Sequence, residues 1–331
     1  MKKNYFIGID VSKSTLDVSI CKENKMVHYT IINNEPKAIK KWLKDDLKKF
    51  DIDYSDCCVL IEYTGIYIFH IVNQMMEKGI ELFVVPALAV KRSLGLVRGK
   101  NDKVDSKRLA LFAFEKYASL VAYIPTRPVI MELSNLVSLR SRLLKAKQAL
   151  VVAQKESSRF TVNKFAQSIL KLQSKSVLAL ENDIKAVDTK IKHLVSSDPL
   201  LSRKTQQIIS IDGVGIITAV NVIITTNEFK EIKEPKKFAC YAGIAPFEHS
   251  SGSSVRGKER VSHLANKRMK HLLHMAAIST LRMKGELREY YDRKVKEGKN
   301  KMSVLNAIRN KIVWRIFAVI NQDKFYSKSL V

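Results

Sequence analysis

Four acidic residues are placed where a stable core would not spend them. Asp10 closes the apolar run Tyr5-Phe6-Ile7-Gly8-Ile9-Asp10, and Glu62 closes Cys58-Val59-Leu60-Ile61-Glu62. Asp102 and Asp105 stand three apart at the start of an amphipathic stretch that runs on through Lys107, Arg108, Leu109 and Ala110. Crowding like charges at the ends of core strands costs several kcal/mol unless a cation compensates. An oxygen-only cage of this kind suits a hard divalent ion, Mg²⁺ or Mn²⁺. Metals held there can activate a nucleophile and stabilise a leaving oxygen on a phosphodiester.

The remaining composition fits a phosphodiester partner. Lys and Arg number 58 against 32 Asp and Glu, a formal charge of +26. Such an excess calls for a polyanion, nucleic acid before membrane. The charge is uneven: Ser251 to Val331 holds 19 Lys and Arg and 6 Asp and Glu. No apolar run approaches the ~18 residues that span a bilayer, and Met1-Lys2-Lys3-Asn4 leads into a strand, not the core of a signal peptide. Cys21, Cys57, Cys58 and Cys240 show no CxxC spacing. Zinc or disulfide frameworks are therefore not expected, and a reducing cytoplasm is the expected location, on the nucleoid when acting.

The elements that must hold the carboxylates follow from periodicity. Strands are expected at 5–11, 15–20, 26–31, 57–62 and 81–85, and helices at 36–50, 66–78 and about 103–117. Short polar links make the first three strands an antiparallel meander. Three strands, helix, strand, helix, strand, helix is the order of the RNase H fold. That order sets the ends of strands one and four side by side under the last helix, so Asp10, Glu62, Asp102 and Asp105 converge. Asp17 alternates away from Leu16 and Val18 and reads as solvated.

After the break Ile124-Pro125-Thr126-Arg127-Pro128, two long helices carry heptads. Leu136, Leu143 and Leu150 form one seam, with Leu139, Ala146 and Ala153 in the other. The second helix repeats Leu170, Val177, Ile184 and Ile191, with Leu180, Val187 and Leu194 beside them. An intramolecular hairpin and dimerisation through the same seam both fit. Beyond Ser196-Ser197-Asp198-Pro199, Asp212-Gly213-Val214-Gly215 between apolar segments resembles a helix-hairpin-helix, whose glycines admit a phosphate to backbone N–H groups. Glu248 to Lys258, with four serines and two glycines flanked by cations, reads as a flexible, phosphate-friendly loop. His249 beside these serines could tune a nucleophile. The helices that follow, about 264–283 and 302–320, are basic on one face; His271 and His274 share a helix face and fit a core or nucleic-acid-facing place better than a metal site.

These segments together resemble a family. Gly8-Ile9-Asp10-Val11-Ser12-Lys13, Ile61-Glu62-Tyr63-Thr64-Gly65, Asn101-Asp102-Lys103-Val104-Asp105 and Ser251-Gly252-Ser253-Ser254-Val255-Arg256-Gly257 look like the DEDD transposases of the IS110 insertion-sequence family, relatives of the Piv invertases. Pro86-Ala87-Leu88 and Tyr241-Ala242-Gly243-Ile244-Ala245-Pro246 also match, in the family's order over nearly the whole chain. The resemblance implies an α/β RuvC-like domain (1–125), a coiled-coil region (126–200) and a mainly α-helical transposase domain with a serine loop (201–331). It maps the catalytic and metal-binding tetrad to Asp10, Glu62, Asp102 and Asp105, and the nucleophile to Ser251. Ser250, just before it, departs from the family pattern. The resemblance further implies Mg²⁺ or Mn²⁺, donor and target DNA, a structured bridge RNA, and a dimer or tetramer. Nucleic-acid contacts are expected from Arg98, Lys100, Gly213, Gly215, Arg256, Lys258, Arg260, Lys267 and Arg268. A junction-type nuclease would use the same carboxylates with water and would not need the serines. A non-catalytic binder would explain the charge but not the acids.

Overall fold

The structure is a computed structural model. It describes residues 3–86, 89–90, 101–160, 164–251, 255–261 and 264–327. The chain divides into two compact units, Met1–Pro125 and Thr126–Val331.

The first unit is built on β1 (Tyr5–Val11), β2 (Thr15–Lys22), β3 (Lys25–Asn33), β4 (Cys57–Glu62) and β5 (Glu81–Val85), in the order β3-β2-β1-β4-β5. β1–β2 and β2–β3 pair antiparallel, while β4 lies parallel to both β1 and β5. Helices α1 (Pro36–Lys49), α2 (Phe69–Glu77) and α3 (Asp102–Lys116) complete it. This is the RNase H-like fold that the element order predicts.

Strand alternation sorts the side chains into two cores. Ile7, Ile9 and Val11 of β1, Leu16, Val18 and Ile20 of β2, and Val59 and Ile61 of β4 pack with Trp42, Leu43 and Leu47 of α1 and Ile71 and Met75 of α2. The alternate residues Phe6, Cys21, Cys58, Leu60, Phe83 and Val85 pack with Leu109, Ala110, Phe112 and Ala113 of α3. Asp10 continues the Phe6–Gly8 row and Glu62 the Cys58–Leu60 row, so both belong to the α3 face.

The second unit opens with two long helices, α4 (Pro128–Phe160) and α5 (Lys164–Ser197), which pack together as a hairpin within the chain. Its heptads are only half used. Ile130, Leu133 and Val137 bury against Val187, Ile191 and Val195 at the base, in one core with the C-terminal helices. Leu136, Leu143 and Leu150 are half-buried, whereas Leu139, Ala146 and Ala153 are exposed. The stripe shifts because the base of α4 also packs on a third helix, α7 (Ile216–Thr225). Farther from the base Val152, Ile169, Leu172 and Leu178 are exposed.

The rest of the unit adds α6 (Pro199–Ile209), α8 (Pro235–Tyr241), α9 (Lys267–Leu281), α10 (Glu286–Lys296) and α11 (Lys301–Asn321). Between α8 and α9 the expected loop is instead an antiparallel hairpin of β6 (Pro246–Ser251) and β7 (Val255–Val261), with Ser251 opposite Val255. Its strands lack an apolar alternation, so sequence periodicity could not flag them.

Arg127 secures the start of this unit. It donates to both carboxylate oxygens of Glu228 at 2.8 and 2.6 Å and to both of Asp198 at 2.7 and 3.1 Å. The Glu228 side chain is fully buried. Burial alone would push its pKa up, yet Arg127 and Lys230 hold it below the usual carboxylate range.

Candidate active site

Three local choices bring the tetrad together. The first is Gly8. A Cβ built there would lie 2.2 Å from the Ala110 nitrogen and 2.3 Å from the Ser106 oxygen, both backbone atoms of α3. Only glycine lets the helix lie this close to β1. The second is the start of α3. The Asn101 side chain accepts from Val104 N–H at 2.8 Å, capping a helix with Asp102 and Asp105 in its first turn, where carboxylates complement the helix dipole. The third is a hydroxyl clasp of Ser19 with Ser106 at 2.8 Å, which ties β2 to α3 inside the core.

The electrostatic result is concentrated on Asp10. Its carboxyl is pushed up to about 6, first by burial and then by the charges of Asp102, Asp105, Glu62 and Asp17. All four predicted carboxylates therefore share one neighbourhood. Arg108 counters part of the charge, donating to Asp105 at 2.7 Å.

Asp17 corrects the sequence reading. It does point opposite to Leu16 and Val18, but that face is covered by α3, and Asp17 is only 5% exposed. Directly across from Asp10 in the β1–β2 register, it receives the Tyr29 hydroxyl. Lys103 Nζ lies 4.7 Å from the centre of the Tyr29 ring. A fifth carboxylate thus borders the site, on a strand that carries no motif of its own. Gly8 was the other omission, and its signal was the Gly-x-Asp spacing that puts a glycine on the Asp10 face.

An all-carboxylate donor set fits a hard divalent ion by its chemistry. Among the described residues no three His, Cys, Asp or Glu side chains are drawn tightly enough to form a finished cage. The mutual repulsion at Asp10 is what such an ion would relieve.

The second unit holds the other expected site residues. Ser251 ends β6, and Arg256, Lys258 and Arg260 occupy alternate positions of β7; the side chains of residues 248–260, His249 among them, and residues Arg98 and Lys100 lie outside the described part. Gly213, at φ +81°, has a packing reason. A Cβ there would meet Thr280 Oγ1 at 2.2 Å and Ala276 O at 2.7 Å on α9. Gly215 is the exposed N-cap of α7, with open space around it. Lys267 is exposed at the first turn of α9, and Arg268 donates to the Val137 carbonyl at 3.0 Å. Arg268 also lines a cavity of about 140 Å³ with Ser134, Ser138, Asn221 and Asn266. The outward side of the His271/His274 pair is His271; His274 takes a hydrogen bond from Arg309 at 2.7 Å at its Nδ1.

Comparison with known proteins decides the family. A DEDD transposase model of IS110 type matches residues 7–155, and one described as transposase of the IS116/IS110/IS902 family matches 205–292. The chain belongs to the IS110 family of DEDD transposases. The pilin gene-inverting proteins of Moraxella lacunata and Moraxella bovis are each 25% identical to this transposase over 338 residues, all of it and 99% of theirs. An uncharacterised 43.6 kDa protein of insertion element IS110 from Streptomyces coelicolor is 27% identical over 155 residues, 47% of this chain and 37% of its own. Among solved structures, Thermus thermophilus RuvC matches with a TM-score of 0.29 at 11% identity, covering 36% of the transposase and 99% of RuvC. No described helix is long and apolar enough to cross a membrane.

Proposed function

We propose that this transposase cuts and rejoins DNA by attack of Ser251 on a phosphodiester, with Asp10, Glu62, Asp102 and Asp105 holding Mg²⁺ or Mn²⁺. The observation that carries the reading is the convergence of Glu62, Asp102 and Asp105 on Asp10, whose pKa is lifted to about 6 by burial and then by these charges. When bound, the ion supplies Lewis-acid stabilisation of the phosphate oxygens and lowers the barrier to deprotonating the nucleophile. The protein's part is to orient and to balance charge. Gly8 lets α3 deliver Asp102 and Asp105 to the strand ends. Arg108 restrains Asp105 until a stronger cation competes. Cations at alternate positions of β7 are suited to neutralise charge developing on the phosphate.

In the chemical step the Ser251 Oγ–P bond forms as the P–O bond to the departing sugar oxygen breaks. The hydroxyl proton leaves Oγ, and the released sugar oxygen ends as a hydroxyl. The phosphoserine diester retains the bond energy, so rejoining needs no nucleotide cofactor.

A structured bridge RNA is proposed as the guide, supported by the +26 charge and the family resemblance. Its binding should fall steeply with salt. A dimer or tetramer is proposed through the outer part of the α4–α5 hairpin, where Leu172 and Leu178 are exposed.

The test is a nicked suicide substrate with peptide mapping of any trapped adduct. Wild-type protein should form it, and Ser251→Ala should not, while Ser250→Ala and Ser253→Ala should. Cleavage by wild-type protein without an adduct would assign the attack to water. Undiminished recombination after nuclease removal of RNA would eliminate the guide.

A further inference from the structure

The turn that follows Glu62 is apolar where a surface next to four carboxylates should be polar. Residues Gly65–Ile68 form a short 3-10 helix that runs directly into α2 at Phe69. Tyr63 is 63% and Ile66 80% exposed, and Tyr67 and Phe69 are exposed as well. Four large apolar side chains are exposed within seven residues of one turn, a density beyond the scattered exposure that any surface shows.

The patch is fixed against the catalytic strands. Tyr63 N–H donates to the Val85 carbonyl at 2.9 Å, which continues the β4–β5 pairing one step past Glu62. Asn34, buried at the end of β3, donates from one amide to two carbonyls, Ser12 at 2.9 Å and Tyr67 at 2.9 Å. Ser12 lies two residues after Asp10. One side chain thus clamps the aromatic turn to the segment that leaves the carboxylate site.

We propose that Tyr63, Ile66, Tyr67 and Phe69 form a stacking platform for unpaired nucleobases of the DNA strand whose phosphate reaches the carboxylates; this rests on the DNA-cutting reading above. Three arguments favour that occupant. Aromatic faces stack on any base, at about 1–3 kcal/mol each, without sequence readout. Tyrosine offers an apolar body with a polar tip, suited to a partner that is part stacked base and part solvated sugar. And the neighbouring carboxylates repel an acidic protein or an anionic bilayer, whereas a nucleic-acid strand reaches them accompanied by divalent cations. Recombination needs strands to leave their duplex, and a platform beside the cut site would hold an unstacked base while the phosphate is aligned.

The experiment uses the full-length protein with Ca²⁺, a divalent ion that takes the same oxygen ligands, and a DNA oligonucleotide bearing 2-aminopurine in a single-stranded segment beside the cut position. Stacking quenches or shifts 2-aminopurine emission. Wild-type protein should change the emission on binding. Tyr63→Ala and Tyr67→Ala should each reduce the change and weaken the single-stranded contact roughly 5- to 150-fold, the span of one stack. Tyr63→Phe and Tyr67→Phe should restore both. Circular dichroism and sedimentation of each variant accompany the titration. An emission change that survives the double alanine variant overturns the proposal, as does failure of the Phe variants to rescue. A shift of the alanine variants to a smaller oligomer, with emission intact, would reassign the patch to a second copy of the chain. The titration reads binding and requires neither cleavage nor Ser251. An inactive Asp10→Asn or adduct-free wild type therefore bears on the chemistry alone, and a flat emission response bears on the platform alone.

Discussion

The raised carboxyl of Asp10 makes a sharp claim about stability. In the metal-free protein at pH 8, Asp10 is ionised although burial first, and then the charges of Asp102, Asp105, Glu62 and Asp17, disfavour its charge, and the folded state carries that penalty. Moving from the ordinary 3.8 to about 6 corresponds to about 3 kcal/mol if every charge were fully desolvated. Asp10 is only half-buried, and solvent screening reduces the figure to about 1–2 kcal/mol. Because the folded-state value is raised, the folded protein binds the proton more tightly than the unfolded chain. The penalty is therefore complete above pH 6, shrinks as pH falls through 6, and is gone below about 4. Asp10→Asn should raise the metal-free melting temperature by several degrees at pH 8, with the gain fading between pH 6 and 4. Added Mg²⁺ should reverse the order, stabilising wild type and leaving Asp10→Asn unchanged. Calorimetry in EDTA across pH 4–8, repeated with Mg²⁺, measures all of this. A variant no more stable than wild type at pH 8, or a gain independent of pH, would refute the repulsion at Asp10 and the metal site built on it.

Three other outcomes are expected. Gly8→Ala should cost about 3 kcal/mol in urea unfolding of the first unit and abolish metal-dependent cleavage, because its Cβ forces α3 away from β1; wild-type cleavage with an unchanged midpoint would contradict the close approach. Arg127→Ala should cost about 3 kcal/mol by leaving the buried Glu228 charge with Lys230, and Glu228→Gln added to it should recover part of the loss in the same melting assay. Leu172→Lys with Leu178→Lys should lower the association state in sedimentation without changing helix content, since both residues are exposed in the single chain.

Much of the first unit is legible in the sequence because strand and helix periods are local. The alternation around Asp10 and Glu62 and the first-turn pair Asp102/Asp105 are enough to order the elements and to bring four carboxylates to one end of a sheet. Ser251 was reached by resemblance, and its place on a β-hairpin was not, since Pro246–Ser251 and Val255–Val261 are held by backbone pairing that leaves no apolar pattern.

What the sequence by itself determined is which residue types stand on which face of which element: the charge excess, the acids at strand ends, the heptads of the long helices. What only the tertiary structure decided is what covers each face. Asp17 alternates outward by every local rule, yet α3 lies over it and turns a solvated carboxylate into a neighbour of Asp10. Leu139 keeps a heptad position and remains exposed, while Val137, outside the predicted seams, is buried among the C-terminal helices. Periodicity fixes direction, because it is set by the residue's own backbone. Burial depends on elements distant in the chain, and for Asp17 on a helix some ninety residues away that can approach only because position 8 has no side chain.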